Sequence, residues 1–185
     1  MSLQSNIAKV RELMKKRSIG LLIMTVIDGV IYAVLQRRGW FNFETSKPES
    51  WPNTYQPTMH GRINPNDRFD QVAIWREGFQ ELGPALTQAV MEHELHLLHT
   101  TNTETENIMT YGVLLPLEAI KTICLSPSTG GLRFIRVIDL NRLVKIEGSG
   151  ITKTVGQSDN WEIAMFEHNI INVRRAFEVF TDPLP

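Results

Sequence analysis

The stretch that decides the fold is residues 61–83, GRINPNDRFDQVAIWREGFQELG. It opens with turn residues and continues with apolar side chains at close to helical spacing. Gly83 and Pro84 end this run, because glycine favours the left-handed helix cap and proline cannot continue the hydrogen-bond ladder. We therefore predict a helix of about four turns, with Asn66 or Asp67 as its N-cap.

Acidic side chains gather on one face of this predicted helix. Glu77 and Glu81 follow Asp70 at offsets of seven and eleven residues, and Gln80 lies at the edge of the same face. Neighbouring carboxylates repel one another unless a cation lies between them. Mg²⁺ accepts such oxygen ligands and keeps waters for itself. The spacing alone is equally typical of a solvated acidic helix face, so both interpretations stay open at this point.

The order of residues in this stretch resembles the signature helix of the Nudix hydrolases. The family pattern is a glycine, five residues, a glutamate, seven residues and an arginine–glutamate pair. An aliphatic residue, any residue, two glutamates, any residue and a glycine follow. The positions that match are Gly61, Arg76, Glu77, Glu81 and Gly83.

Other positions depart from the family pattern. Asp67 stands where the first glutamate is expected, and eight residues rather than seven separate it from Arg76. Gly78 takes the place of the aliphatic residue. Gln80 replaces the first of the paired glutamates, and a neutral amide is a poorer ligand for a hard cation than a carboxylate.

The resemblance implies the Nudix fold, of α/β (α+β) class, in which a mixed β-sheet is sandwiched between helices. It implies that Arg76 orients the helix by pairing with an acidic residue. It also implies a Mg²⁺ or Mn²⁺ site on the helix. The expected metal ligands are Glu77 and Glu81, with Asp67, Asp70 or Gln80 assisting.

A pair of strands precedes the helix. Residues 19–27 form an apolar run rich in β-formers, and residues 30–36 form the return strand. Between them lies Asp28–Gly29, a strong signal for a two-residue hairpin turn. This arrangement also resembles the opening of many Nudix domains.

Three arginines are candidate contacts for substrate phosphates, since the guanidinium fork matches phosphate oxygens. They are Arg37, Arg38 and Arg62; the alternative is that they are ordinary surface charges. Trp40, Phe41 or Trp51 is a candidate for stacking on a base, with core packing as the alternative. His60, beside the glycine that opens the motif, is either a substrate contact or an ordinary loop histidine.

Further candidates lie beyond the helix. Glu104 and Glu106 fall in a predicted hairpin loop, and the resemblance implies that a glutamate outside the signature serves as general base or as an extra ligand. His93, His96 and His99 recur every third residue, a spacing that suits zinc on a helix. The segment reads better as a strand, where alternating residues point apart.

The two ends of the chain complete the predicted organisation. Residues 5–17 have amphipathic helical spacing, and residues 161–180 form a final helix behind a capping box, after a loop at 148–158. We expect a single Nudix-like domain over residues 1–185. It consists of an N-terminal helix within 1–18, a core at 19–146 and a C-terminal helix at 159–180. The apolar face of the last helix predicts a homodimer.

Composition excludes several classes of protein. A net charge of −1 over 185 residues gives no electrostatic basis for binding a nucleic-acid duplex or an anionic membrane. Cys124 is the only cysteine, so an intrachain disulfide is excluded and a reducing compartment, the cytoplasm, is expected. The sequence shows neither a signal-peptide pattern nor an apolar run of membrane-spanning length.

Three functions are open at this stage. The leading one is metal-dependent hydrolysis of a pyrophosphate linkage in a small nucleoside-diphosphate-type substrate. The second is a catalytically impaired Nudix domain that binds a nucleotide or a partner without cleaving it. The third is isoprenoid-diphosphate isomerisation. It is disfavoured because that family's catalytic cysteine lies between the first hairpin and the signature helix, where this chain has none.

Overall fold

The computed structural model describes residues 15–43, 45–146 and 162–181. The strands are β1 Lys16–Ile27, β2 Val30–Arg38, β3 Phe41–Asn42, β4 Lys47–Pro48, β5 Tyr55–Gln56, β6 Met59–Arg62, β7 His96–Asn102, β8 Glu106–Leu114, β9 Thr129–Ile135, β10 Leu143–Lys145 and β11 Ile163–Met165. The helices are α1 Asp70–Glu81, α2 Pro84–Met91, α3 Leu117–Ile120 and α4 Glu167–Thr181, with a 3₁₀ helix at Val137–Arg142.

Nine of the described strands form one mixed sheet. Its order is β10-β11-β5-β2-β1-β8-β7, with β6 also paired to β1 and β9 also paired to β2. The central strand β1 runs parallel to β8 and antiparallel to β2 and β6. The remaining pair, β3 and β4, forms a separate two-stranded hairpin.

Helices cover both faces of this sheet. Residues of β1 alternate between the faces: Ile19 and Leu21 pack with α1, whereas Leu22 packs with α4. All three are fully buried, and burying such a side chain is worth about 1.5–3 kcal/mol. The predicted sheet between helices is therefore confirmed.

The opening hairpin is confirmed. Its two turn residues, Asp28 and Gly29, have φ angles of +50° and +76°, as the two-residue turn with two left-handed positions requires. Ile27 then pairs directly with Val30.

The signature helix α1 ends as predicted but begins later. Its N-cap is Phe69, which has no side-chain cap, so the prediction of Asn66 or Asp67 was wrong. Asp67 instead accepts a hydrogen bond from the backbone N–H of Asn64 at 2.8 Å, which closes the preceding turn. At the other end, the glycine after α1 has a φ of +87°.

The predicted C-terminal helix is wrong in its first residues. Ile163 and Met165 belong to β11, which pairs in parallel with β10, and α4 begins only at Glu167. Both side chains are fully buried in the core under α4, so tertiary packing outweighs the helical spacing. The capping box, which starts at Asp159, and the loop at 148–158 fall largely or wholly outside the described residues.

At the start of the chain, Lys16 and Arg17 belong to β1, where they pair with Glu106 and Asn107 of β8. The expected helix therefore does not include them, and the rest of that prediction lies outside the described residues. None of the described helices is long and apolar enough to cross a membrane.

Candidate active site

A pocket of about 690 Å³ lies where α1 meets β6 and the ends of β1, β2 and β8. Six side chains predicted from the sequence line it. They are Arg37, Arg38, Arg62, Glu77, Gln80 and Glu81. His60 and Glu106 also line it, so the fold brings most of the candidates to one place.

The outer edge of β6 holds the two glutamates of α1. The backbone N–H of His60 donates to Glu81 Oε2 at 3.3 Å, and that of Arg62 donates to Glu77 Oε1 at 3.2 Å. Two residues along a strand advance by about 6.6 Å, and four residues along a helix advance by about 6 Å. The spacing of the two backbone N–H groups on β6 therefore matches the spacing of the two carboxylates on α1. Glu77 and Glu81 therefore lie side by side facing the pocket.

Gly61 lies between these two amides, and its lack of a side chain matters. A Cβ at this position would lie 2.1 Å from Glu77 Cδ and 2.2 Å from Glu77 Cγ. The glutamate side chain thus passes directly over the glycine. Any larger residue at this position would displace Glu77.

Arg76 ties α1 to the loop before it. Its Nη2 donates to Asp67 Oδ2 at 2.9 Å and to the carbonyl oxygen of Arg62 at 2.6 Å, and its Nη1 donates to Glu77 Oε1. The hydrogen bond from Arg76 lowers the pKa of Asp67. Asp67 does not line the pocket. It is thus the acidic partner that orients Arg76, and its expected part in metal binding is not supported.

Asp70 also lies away from the pocket, contrary to the expectation from the helix face. Its Oδ2 accepts a hydrogen bond from the hydroxyl of Tyr111 at 2.7 Å, and its Oδ1 is 3.7 Å from Arg17. Burial and this neighbouring carboxylate raise the pKa of Tyr111 to about 12. Tyr111 belongs to β8, so a contact with a distant part of the chain holds the Asp70 carboxylate apart from those of Glu77 and Glu81.

Glu106 supplies a third carboxylate in the pocket. It begins β8 and accepts a hydrogen bond from the hydroxyl of Ser18 on β1. The neighbouring candidate Glu104 does not line the pocket. Burial lowers the pKa of His60, and this effect outweighs the opposing charge of Glu106.

The three arginines differ in whether other groups of the protein already bind their guanidinium groups. Arg38 forms an ion pair with Glu49, and Arg37 Nε donates to the carbonyl oxygen of Gly130 at 3.0 Å. Within the part of the chain that the structure describes, the guanidinium of Arg62 has no hydrogen-bond or ion-pair partner. Arg62 is therefore the arginine most available to a phosphate.

The aromatic candidates do not line the pocket. Trp40 is 61% exposed and lies outside the lining, and the ring of Phe41 packs against Phe43 at 5.1 Å. Trp51 packs edge-on against Phe166 at 5.4 Å. In this conformation none of these rings is placed to stack on a bound base.

Sequence reasoning missed a set of uncharged polar residues in the lining. Gln56 Nε2 donates to Gln36 Oε1, and Gln36 Nε2 donates to Thr129 Oγ1, both at 2.6 Å. The only local signal was a glutamine at the end of the apolar strand β2, because the partners of Gln36 are 20 and 93 residues away.

The donor atoms in the pocket suit a hard divalent cation. Glu77, Glu81 and Glu106 offer carboxylate oxygens and Gln80 an amide oxygen, and Mg²⁺ is usually bound by one or two carboxylates together with waters and substrate phosphates. Among residues 15–43, 45–146 and 162–181, no three His, Cys, Asp or Glu side chains are grouped to hold a metal by themselves. The residues therefore fit an ion whose coordination is completed by substrate and water.

Comparison with solved structures identifies the fold. A MutT/Nudix family protein from Enterococcus faecalis superposes with a TM-score of 0.57 at 12% identity, covering 98% of this chain and 70% of that one. A C. elegans Ap4A hydrolase gives 0.55 at 16% identity over 91% and 100% of the two chains. A MutT/Nudix family protein from Listeria innocua gives 0.56 at 14% identity over 90% and 94%.

This protein therefore has the Nudix fold. No protein-family model matches its sequence, and the search of curated proteins finds no match. The fold agrees with the resemblance seen in residues 61–83, whereas overall sequence identity to these structures is low.

Proposed function

We propose that the protein hydrolyses a pyrophosphate linkage in a nucleoside-diphosphate-linked substrate with the help of Mg²⁺ or Mn²⁺. The observation that carries this proposal is the pair Glu77 and Glu81, held side by side by the edge of β6. They face a pocket that also contains three arginines. Carboxylates for a metal and guanidinium groups for phosphates are what such a reaction needs.

Each side chain has a role in this proposal. Glu77 and Glu81 hold the metal, which when bound polarises a phosphoryl oxygen and lowers the pKa of water. Arg62 binds a substrate phosphate and offsets the charge that develops on its oxygens. Arg76 positions Glu77 and is not itself in contact with the substrate.

In this proposal, Glu106 supplies the negative charge that the site lacks because Gln80 is neutral. It lies across the pocket on β8, independent of α1. As a carboxylate it accepts a proton from the attacking water. The pocket then contains three carboxylates, although Gln80 replaces one of the paired glutamates of the family pattern.

The test is a panel of nucleoside triphosphates, ADP-ribose, dinucleoside polyphosphates, NADH and nucleotide sugars. Each is incubated with Mg²⁺, with Mn²⁺ and with EDTA, and phosphate or nucleotide release is measured. Dinucleoside polyphosphates are included in the panel because one protein of similar structure is an Ap4A hydrolase. Turnover of any compound that EDTA abolishes supports the proposal, and no turnover of any compound contradicts it.

A second candidate is a Nudix domain that binds its ligand without cleaving it. Gln80 in place of a glutamate favours this function, as does the engagement of Asp67 with Arg76 outside the pocket. Thermal shifts with ligand in EDTA, combined with no hydrolysis anywhere on the panel, would support it.

We also propose the domain organisation, the cellular compartment and the oligomeric state. The described elements belong to one Nudix domain, and the single cysteine favours a reducing compartment such as the cytoplasm. A homodimer stays a prediction. Its original basis is weakened, since Val173 and Phe177 on the apolar face of α4 pack into the core of the same chain.

A further inference from the structure

The described lining of the pocket is polar almost throughout. Among the described residues that line it, none is a Phe, Tyr or Trp and none has an aliphatic side chain. Small-molecule sites are usually lined mainly by apolar and aromatic side chains, with a few polar groups for orientation. A nucleobase binds largely by stacking on such rings, and the imidazole of His60 is the only aromatic ring among the described lining residues.

One wall of the pocket instead presents a fixed set of amides and hydroxyls. Gln36 is 4% exposed, and its hydrogen bonds to Gln56 and Thr129 fix both ends of its amide. This leaves Gln56 Oε1 without a hydrogen-bond partner among the described residues. The hydroxyls of Ser126 and Ser128 lie in the same lining.

Such groups match a ligand that carries many hydroxyls. Amides and hydroxyls both donate and accept, and so does each hydroxyl of a sugar. The amides line the same pocket as Arg62, whose guanidinium is available to a phosphate. The wall is thus complementary to a sugar joined to a diphosphate.

We propose that the group attached to the substrate's diphosphate and bound against Gln36, Gln56 and Thr129 is a sugar or another polyhydroxylated group, and not a second nucleoside. This inference rests on the proposed function, since it specifies the substrate class of the same site.

Two compounds isolate this difference. ADP-ribose and diadenosine diphosphate share the adenosine diphosphate and the second ribose, and differ by one adenine on that ribose. Measured with Mg²⁺, kcat/KM for ADP-ribose is expected to exceed that for diadenosine diphosphate about tenfold or more. Equal values, or a preference for diadenosine diphosphate, would overturn the inference while leaving the proposed function intact.

A substitution at Gln56 tests whether the wall formed by Gln36, Gln56 and Thr129 causes the preference for ADP-ribose. Gln56→Leu is expected to lower kcat/KM for ADP-ribose about tenfold and to leave that for diadenosine diphosphate within about twofold. A merely structural defect would lower both values equally, and that result would count against the inference. Gln88→Leu, on the exposed face of α2, is the matched control and should change neither value.

Absence of hydrolysis is a distinct outcome. If no compound of the whole panel is cleaved, the proposed function fails, and the dissociation constants of ADP-ribose and diadenosine diphosphate are then measured by calorimetry in EDTA. Tighter binding of ADP-ribose by wild type, lost in Gln56→Leu, would still support the inference. Equal affinities, or no binding of either compound, would overturn it.

Discussion

Replacing Gly61 by alanine separates the placement of Glu77 from the stability of the fold. The new Cβ would lie 2.1–2.4 Å from Glu77 Cδ, Cγ and Oε2, well inside the 3.0 Å that real contacts respect. These atoms are the far end of a flexible side chain. We therefore expect Glu77 to swing away while β6 and α1 keep their positions.

The cost in stability is expected to be small. Glu77 loses the hydrogen bond from the backbone N–H of Arg62, and a bond to a charged group is worth about 1.5–3 kcal/mol. It also loses the ion pair with Arg76, which at this partly exposed position is worth about 0–1 kcal/mol. Alanine returns about 0.4–1 kcal/mol by restricting the unfolded chain. The net loss is about 1–3 kcal/mol, which corresponds to a fall in Tm of roughly 2–12 °C.

The cost in activity is expected to be large, because a displaced Glu77 no longer faces the pocket. Mg²⁺-dependent turnover of the best panel substrate should fall about 100-fold or more, and Mn²⁺ binding followed by electron paramagnetic resonance should weaken. Gly78→Ala, in the same helix as Glu77, is the control, since its Cβ would meet the side chain of Thr87 at 3.0 Å. A Gly61→Ala protein with turnover and Mn²⁺ affinity within twofold of wild type would refute the reasoning.

Three further substitutions and one control variant test the site. Glu81→Gln should lower metal-dependent turnover about 100-fold with little change in Tm, and full turnover would remove Glu81 from the mechanism. Glu106→Gln should lower turnover about 100-fold, whereas Glu104→Gln should not, so equal rates in both variants would exclude the role given to Glu106. Arg76 holds the pKa of Asp67 below 3.8, so the stability from this pair is present above about pH 3.8 and is lost as the pH falls through the folded-state pKa. Asp67→Asn should therefore lower stability in urea at pH 7 and reduce the further loss that wild type shows below about pH 3.8; an unchanged pH dependence would contradict this.

The sequence by itself determined the features that depend only on neighbouring residues. Two left-handed positions at Asp28 and Gly29 define the hairpin, and the glycine–proline pair after α1 defines the end of that helix. Helix periodicity places Glu77 and Glu81 on one face, and this holds whatever packs against it. Each of these features depends on residues only a few positions apart, so a single stretch of sequence contains the whole signal.

The tertiary structure decided which of the acidic residues enter the pocket. Periodicity grouped Asp70 with the two glutamates, but the hydroxyl of Tyr111, 41 residues away, holds it elsewhere. Glu106 and Glu104 looked equivalent, and the pairing of β8 with β1 brings only Glu106 into the lining.

The wall formed by Gln36, Gln56 and Thr129 depends still more on long-range contacts. Gln36 is bonded to partners 20 and 93 residues away in the chain, and no local pattern encodes such a meeting. The start of α4 shows the same limit, because burial of Ile163 in the core made a strand of residues with helical spacing. The chain specifies its turns and helix faces locally, whereas strand partners, and hence the composition of the pocket, are set by packing across the whole sheet.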